Sequence, residues 1–482
     1  MRPSRFATPA LKALIPAAGR GLRAWPKASA LPKVLLEIDG KPVLQRNIEI
    51  LRDCLGIRDI TIIVGYLQEQ IRRFFGGGSE LGVSIRYVDC KNPDIGLARG
   101  MLLSRDQFRE PFVTILGDEL YLGSNHRRLL DDLPPDFDAV CGLLRTGDLH
   151  QIKRNYSVRV EEGRITRLVE KPEKIENGLL GCGTYVFSPR IFDAIETTPP
   201  SVRSGRVELT DAIGRLERVY PFLLEGRYFN INTIDDFNYA NFVVRQAGFQ
   251  SRCVSVVIPA YNEEQSIGYT VRDFQGLVHE IFVVDNSSTD RTAEVARAAG
   301  ARVETVHLIG YGDTIRYGLD HATGDILVVV EADLSFRARD LGKMLEYLKD
   351  ADMVVGTRTT RELVEQGTNM RGPVRWGNVI VAKFVELLWW SLEPRFTDVG
   401  CTYRALWKET YQAIRPLLRG VGPELSPEMM VAALEVRKRI IEVPVSYHRR
   451  IGGESKHSAN YYRIGRTATR MLRAILSHRF GL

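Results

Sequence analysis

Two stretches that open alike constrain this chain more than anything else in it. LKALIPAAGRG (11–21) and CVSVVIPAYNEE (253–264) each run from a short apolar strand into a turn. Behind each, β-branched runs alternate with helical patterns. ITIIVGY (60–66), VSIRYV (83–88) and FVTILGD (112–118) read as strands in the first half. EIFVVDN (280–286), ILVVVEAD (326–333) and ADMVVGTR (351–358) do so in the second. Runs this continuously apolar suit strands covered on both faces, as in parallel sheets. KPVLQRNIEILRDCL (41–55) and DRTAEVARAAG (290–300) carry helical spacing between them. The pattern predicts two Rossmann-like α/β domains with mostly parallel mixed sheets, over 1–248 and 252–482. The boundary stretch AGFQSR (247–252) holds no Gly/Ser- or Pro-rich linker, so the halves are expected to be close-coupled.

Composition narrows the function classes. The six cysteines are scattered, with no CxxC pair, which argues against a zinc site or disulfide framework and suits a reducing cytosol. No run reaches the roughly 18–20 apolar residues of a membrane span. Val379 to Leu392 is shorter and broken by Lys383 and Glu386. A cytoplasmic protein is expected, with peripheral contact at the inner face of a membrane left open. From Arg437 to the end, eleven Lys and Arg face two acids, Glu442 and Glu454. That excess points to phosphates or lipid headgroups, and without a recognition motif it does not point to nucleic acid. From Tyr461 onward, Ile464, Ala468, Met471, Leu472 and Ile475 recur at helical spacing, with Arg463, Arg466, Arg470 and Arg473 on another face. Such a helix either lies in an anionic interface or docks on the core with a solvated basic face, and Val379 to Leu392 with Trp389 and Trp390 poses the same choice.

In the first half, Ala17, Ala18, Gly19, Arg20 and Gly21 follow a strand. Gly19 and Gly21 let backbone N–H groups approach a triphosphate, while Arg20, Arg23 and Lys33 supply cations. Asp118 closes a strand where α/β sheets bind ligands, and its carboxylate suits Mg2+ between phosphates. AAGRGLR, LPK (31–33), GKPVLQRNIEIL, the GDE strand end, VEKP (169–172) and ELTDAI (208–213) stand in the order seen in sugar-1-phosphate nucleotidyltransferases, which the half resembles over roughly 10–245. The resemblance implies that the loop holds the nucleoside triphosphate. It gives Arg23 and Lys33 the phosphates, Asp118 the metal, and Glu170 and Lys171 the sugar phosphate. The loop beginning AAG leans toward the uridylyl, thymidylyl and cytidylyl members, and a cytidylyltransferase for a non-sugar phosphate is the alternative. One departure stands out: Asn230 and Asn232 occupy positions where many members carry aspartates. An amide oxygen still ligates a hard cation, more weakly, unless Asp235 or Asp236 moves in. A silent nucleotide-binding module is the rival reading for this half.

In the second half three strands end in acids: Glu263 and Glu264 after the first, Asp285 after the second, and Glu331 and Asp333 after the third. Asp290 suits a helix cap. Two carboxylates at alternate positions can share a Mg2+ (or Mn2+) on a diphosphate. With VVGTR (354–358), RFTDVGCTYRAL (395–406), SPEMM (426–430) and EVPVSYHRRIGGESK (442–456), the half resembles family 2 glycosyltransferases of the GT-A type over about 253–457, nearest the dolichol- and polyprenyl-phosphate sugar synthases. The resemblance gives Pro259, Tyr261, Glu263 and Asp285 the nucleotide, and Glu331 and Asp333 the metal. A phosphate acceptor needs no base, so Arg371, Arg375, Arg404, Arg449 and Lys456 become candidates to position it. A hydroxyl acceptor does need one, and Asp398 is then the candidate. The expected partners are a nucleoside triphosphate, a sugar 1-phosphate, an NDP-sugar and a polyprenyl phosphate; the oligomeric state stays open.

Overall fold

The computed structural model describes residues 11–21, 31–368, 370, 372–451 and 461–481. Arg23, Arg371 and Lys456 lie outside the described residues. The chain divides into two compact units, Met1–Ala240 and Asn241–Leu482.

In the first unit the strand Lys12–Ala17 lies parallel between Asp59–Val64 and Phe112–Ile115. Alternate side chains of these strands enter two apolar clusters. Ala13, Ile15, Ile62 and Ile115 belong to one, and Leu14, Ile63 and Phe112 to the other. The two-faced burial expected of β-branched runs follows. Among the described residues the sheet has nine strands, and beyond Phe112–Ile115 it turns mainly antiparallel, through Leu179–Phe187, with Val219–Leu224 parallel to Ala139–Arg145 at one end. It is therefore less parallel than the sequence suggests. A second, two-stranded sheet pairs Glu119–Leu122 with Arg227–Asn230. It is pinned beneath by Glu119, a buried carboxylate accepting from the Tyr121 and Tyr228 hydroxyls (2.5 and 2.7 Å) and the Gly183 amide (2.7 Å). Burial pushes this carboxyl up to about 7.

In the second unit the strand Val254–Ala260 lies parallel between Glu280–Asp285 and Ile326–Val329. Arg404–Trp407 enters antiparallel beside Ile326–Val329. In both units the first strand sits centrally, the second to one side and a later one to the other. The chain thus reverses direction across the sheet beside the first strand, the place where sheets of this kind bind ligands outside their strand ends.

Two helices complete the second unit. In Tyr461–Phe480, Ile475 is buried and Leu472 packs on the core. Its apolar face is docked, which favours the second of the two readings for this helix. In Pro373–Leu388, Val381, Ala382 and Val385 are buried, yet Trp376, Ile380 and Leu387 are exposed. Among the described residues, no helix is long and apolar enough to cross a membrane. All six cysteines are free.

Candidate active sites

Each crevice gathers acids and cations from several elements. In the first unit the Gly117 backbone crosses the end of the first strand so closely that a Cβ there would lie 2.9 Å from the Pro16 carbonyl oxygen. That contact sets Asp118 beside the 17–21 loop, where Gly21 takes a left-handed φ of 63°. Lys33 Nζ lies 2.5 Å from Asp118 Oδ2 and donates to Asn232 Oδ1 at 3.3 Å. Asn232 donates in turn to Asn230 Oδ1, and Asn230 to Asn155 Oδ1, each at 2.7 Å. The Asn155 carbonyl accepts from the Lys171 amide at 2.6 Å. A chain of amides therefore runs from Lys33 and Asp118 to the Glu170–Lys171 bend. Asn155 is a member that sequence reasoning missed.

Arg20 pairs with Asp94 at 3.0 Å, so its guanidinium has a protein partner at the loop. Asp236 does not move into the site. It accepts from Arg154 at 2.7 Å and from the Asn232 and Thr233 amides, while Thr233 Oγ1 accepts from the Asp236 amide, a reciprocal cap on the helix Ile234–Gly248. At the far end, Arg203 donates to the carbonyls of Glu170 and Lys171, and Lys171 has a left-handed φ of 44°. Burial, with the nearby charge of Glu208, pushes the Glu170 carboxyl up to about 7.

In the second unit a cavity of about 1110 Å³ opens at the strand ends. Pro259, Tyr261 and Glu263 line it from the first strand, Asn286 and Ser287 from the second, and Glu331 and Asp333 from the third. Asn262, Ser287 and Leu334, one in each of these three turns, adopt left-handed φ of 55–62°. Strained turns at successive strand ends are the kind a working site retains. Arg450 donates to Asp333 Oδ2 at 2.5 Å, and Thr402 donates to Glu331 Oε1 at 3.0 Å. Burial and the Asp333 charge raise Glu331 to about 7.

Sequence comparison shows which families the two units resemble. Residues 12–247 match the family model of nucleotidyl transferases, and residues 255–404 that of glycosyl transferase family 2. The UTP–glucose-1-phosphate uridylyltransferase AglF of Haloferax volcanii is 35% identical over 43% of this chain and 84% of its own length. An uncharacterized glycosyltransferase of Mycobacterium tuberculosis is 34% identical over another 43% of this chain and 90% of its own length. The chain belongs to both families. It spans 57% of another relative, the low-salt glycan biosynthesis nucleotidyltransferase of Haloferax volcanii, at 35% identity.

Within the glycosyltransferase unit three expected roles need correction. Asp398 is fully buried and accepts from Arg358 Nε and Nη2 at 2.7 and 2.8 Å and from the Gly400 amide, so it is no accessible base. Its contact is with Arg358, which does line the cavity. Arg404 is also buried, donating to the carbonyls of Cys401 and Ser426, and burial lowers it to about 10; it props the floor rather than meeting an acceptor. Asp285 is buried at its strand end, accepting from the Ser288 amide, and its neighbours Asn286 and Ser287 face the cavity instead. Arg449 lines the cavity, whereas Arg375 is not part of its wall. Asp290 caps, accepting from the Thr292 and Glu264 amides. Arg358, Arg450 and Thr402 are among the cavity residues that sequence reasoning passed over.

Both crevices suit a hard divalent cation by donor type. Among the described residues no group of three or more His, Cys, Asp or Glu could hold a metal. Asp118 with the amide oxygens of Asn230 and Asn232 would serve the nucleotidyltransferase unit, and Glu331 with Asp333 the other, with substrate phosphates completing the shell as they do for Mg2+.

The nucleotidyltransferase unit carries a pH signature. Below about 7 Glu170 is protonated, and above it an ionised carboxylate is the stronger acceptor for sugar hydroxyls. The KM for a sugar phosphate is therefore expected to fall as pH rises through about 7. Glu170→Gln should flatten that fall, leaving the part due to the substrate's own phosphate ionisation; steady-state kinetics of both proteins across pH checks it.

Proposed function

We propose that this chain is a bifunctional enzyme. Its first unit joins a nucleoside triphosphate to a sugar 1-phosphate with release of pyrophosphate, and its second transfers the activated sugar to a polyprenyl phosphate. The observation that carries the first step is the pairing of Lys33 and Asp118 at the loop end, with the amide chain reaching Lys171. Attack of the sugar phosphate on the α-phosphorus forms one P–O bond and breaks the bond to pyrophosphate. The nucleophile is already ionised, so cations matter more than a base. Lys33 offsets the charge that gathers on the phosphates, and the Glu170–Lys171 bend holds the sugar end. A bound Mg2+ would supply further charge neutralisation at Asp118. Similarity to AglF supports UTP and glucose 1-phosphate as the first pair to test.

For the second step, a phosphate acceptor is favoured by the absence of an accessible carboxylate at Asp398 and by Arg358, Arg449 and Arg450 in the wall. Its oxygen attacks the anomeric carbon while the nucleoside diphosphate leaves, with no proton to remove. The setting we infer is the cytoplasmic face of a membrane, where such lipids present their phosphates.

The replacement of acids by Asn230 and Asn232 favours one second reading, in which the first unit binds nucleotide without turnover. Pyrophosphate release across four nucleoside triphosphates and a set of sugar 1-phosphates, with Mg2+, separates the two. Release from one pair is the expected result; triphosphate binding without release from any pair would establish the silent module.

A further inference from the structure

We propose that Glu119 is a positioning residue for nucleotidyl transfer: it sets the spacing between Asp118 and the side-chain amides of Asn230 and Asn232, and so the fit of a divalent cation there. The inference rests on the reading of the first unit given above and adds to it a buried side chain that acts through its neighbours.

Asp118 and the two asparagines come from segments far apart in the chain, and little backbone joins them. The sheet that brings them together has two strands of four residues each, Glu119–Leu122 and Arg227–Asn230. Asn230 stands opposite Glu119 in its register, and the Ile231 amide donates to the Asp118 carbonyl at 3.0 Å. A two-stranded ribbon this short is marginal by itself. The spacing of the groups it carries therefore needs side chains to hold it. Adjacent residues along a strand point to opposite faces. Here Asp118 turns to Lys33, and Glu119 turns inward, only 2% exposed.

The Glu119 carboxylate ties three strands together. Oε1 accepts from the Tyr228 hydroxyl at 2.7 Å, across the small sheet. Oε2 accepts from the Tyr121 hydroxyl on its own strand at 2.5 Å and from the Gly183 amide at 2.7 Å. Gly183 belongs to Leu179–Phe187, in the large sheet. A glycine is what makes room for this contact, since a Cβ there would lie 2.6 Å from Glu119 Oε1.

A chain of donors fixes the carboxylate's orientation. Thr184 Oγ1 donates to the Tyr121 oxygen at 3.0 Å, so its single proton is spent. It must then accept from His126 Nε2, also at 3.0 Å, which leaves His126 Nδ1 to accept from Ser124 Oγ at 2.6 Å. Burial pushes His126 down to about 4, so the ring is neutral, as this pattern needs. Each proton from Ser124 onward points toward Glu119, whose oxygens accept. Turning the carboxylate away would leave buried donors unpaired, which costs more than a typical hydrogen bond contributes. The register of the small sheet is thus held by side chains that are themselves buried: Glu119, Tyr121, Tyr228, Thr184 and His126.

The test uses the full chain and reads metal affinity, because a merely structural loss lowers the amount of working enzyme without changing the metal concentration it needs. Mn2+ alone is titrated by the paramagnetic resonance of the free ion, reading the part of the binding that Asp118→Ala abolishes. Pyrophosphate release from UTP and glucose 1-phosphate is titrated with Mg2+. Glu119→Ala should weaken Mn2+ binding, and raise the Mg2+ needed for half-maximal rate, by at least about tenfold. Tyr228→Phe deletes one oxygen and keeps the ring, and should raise both by about threefold. Glu119→Gln should stay within about twofold of the unaltered protein, since an amide keeps its oxygen at the Oε2 position and can donate to a turned Tyr228 hydroxyl. Unchanged metal constants in Glu119→Ala and Tyr228→Phe overturn the proposal, as does an unaltered protein that binds no Mn2+ at this site. A Glu119→Gln protein as impaired as Glu119→Ala overturns it too, because the effect would then be charge beside Asp118 and not position. If thermal unfolding shows that Glu119→Ala does not fold, Tyr228→Phe decides in the same terms. If the unaltered protein releases no pyrophosphate from any substrate pair, the transfer reading falls, while Mn2+ binding still judges Glu119.

Discussion

Asp118→Ala is expected to lower pyrophosphate release by about a thousandfold, roughly 4 kcal/mol of transition-state stabilisation. The carboxylate has two tasks in this geometry. It holds Lys33 Nζ at 2.5 Å, and it is the one acid among the three side chains suited to a metal there, beside Asn230 and Asn232. Removing it takes away the lysine's ionic partner and leaves only amide oxygens. Sugar transfer from a supplied NDP-sugar should be untouched, which makes the variant its own control. Asn230→Asp points the other way: an added charge beside Asp118 should lower the Mg2+ concentration needed for half-maximal rate. Initial rates of pyrophosphate release against Mg2+ check both, and an Asp118→Ala protein as fast as the original would remove the first unit's proposed chemistry.

Asp333→Ala should cut sugar transfer by a hundredfold or more while pyrophosphate release persists. Asp333 is almost fully buried, accepts from the Ser335 amide at 2.9 Å, and takes Arg450 on its other oxygen. Its loss removes half of the carboxylate pair and sets Arg450 adrift beside Glu331. Asp333→Asn keeps the shape and the Ser335 contact, so a comparable loss in that variant would assign the effect to charge. Transfer of radiolabelled sugar from NDP-sugar to lipid extract provides the readout, and full activity in both variants would overturn the assignment.

Much of this architecture can be read from residue order because strand ends are local signals. A β-branched run stopping at Gly117–Asp118 or Glu331–Asp333 marks the carboxyl edge of a sheet, and ligand crevices lie there. What could not be read depends on distant pairing or on burial. Asn155 reaches Asn230 from another element, and no motif announces it. The small sheet joins Glu119–Leu122 to Arg227–Asn230, segments that carry no trace of one another. Asp398 and Arg404 stand in a polar-looking stretch, RFTDVGCTYRAL, and charge in a sequence suggests exposure. Folding buries both, because each can satisfy its charge on a neighbour or on carbonyls. Arg449 and Arg450 are adjacent and identical, so only geometry says which one meets Asp333.

The border between the two family matches does not coincide with the border between the two compact units. The nucleotidyl transferase match runs to residue 247, yet the compact second unit begins at Asn241, inside the helix Ile234–Gly248. Arg245 explains why. It is buried, donating to the Ala351 carbonyl and to Asp352 at 2.7 Å each, with its guanidinium 4.9 Å from the centre of the Trp407 ring. The closing turns of the helix that ends the nucleotidyl transferase match are thus packed into the second unit. A cut at the border between the two family matches would therefore cost the second unit a buried guanidinium and leave Asp352 leaning on the Arg439 amide.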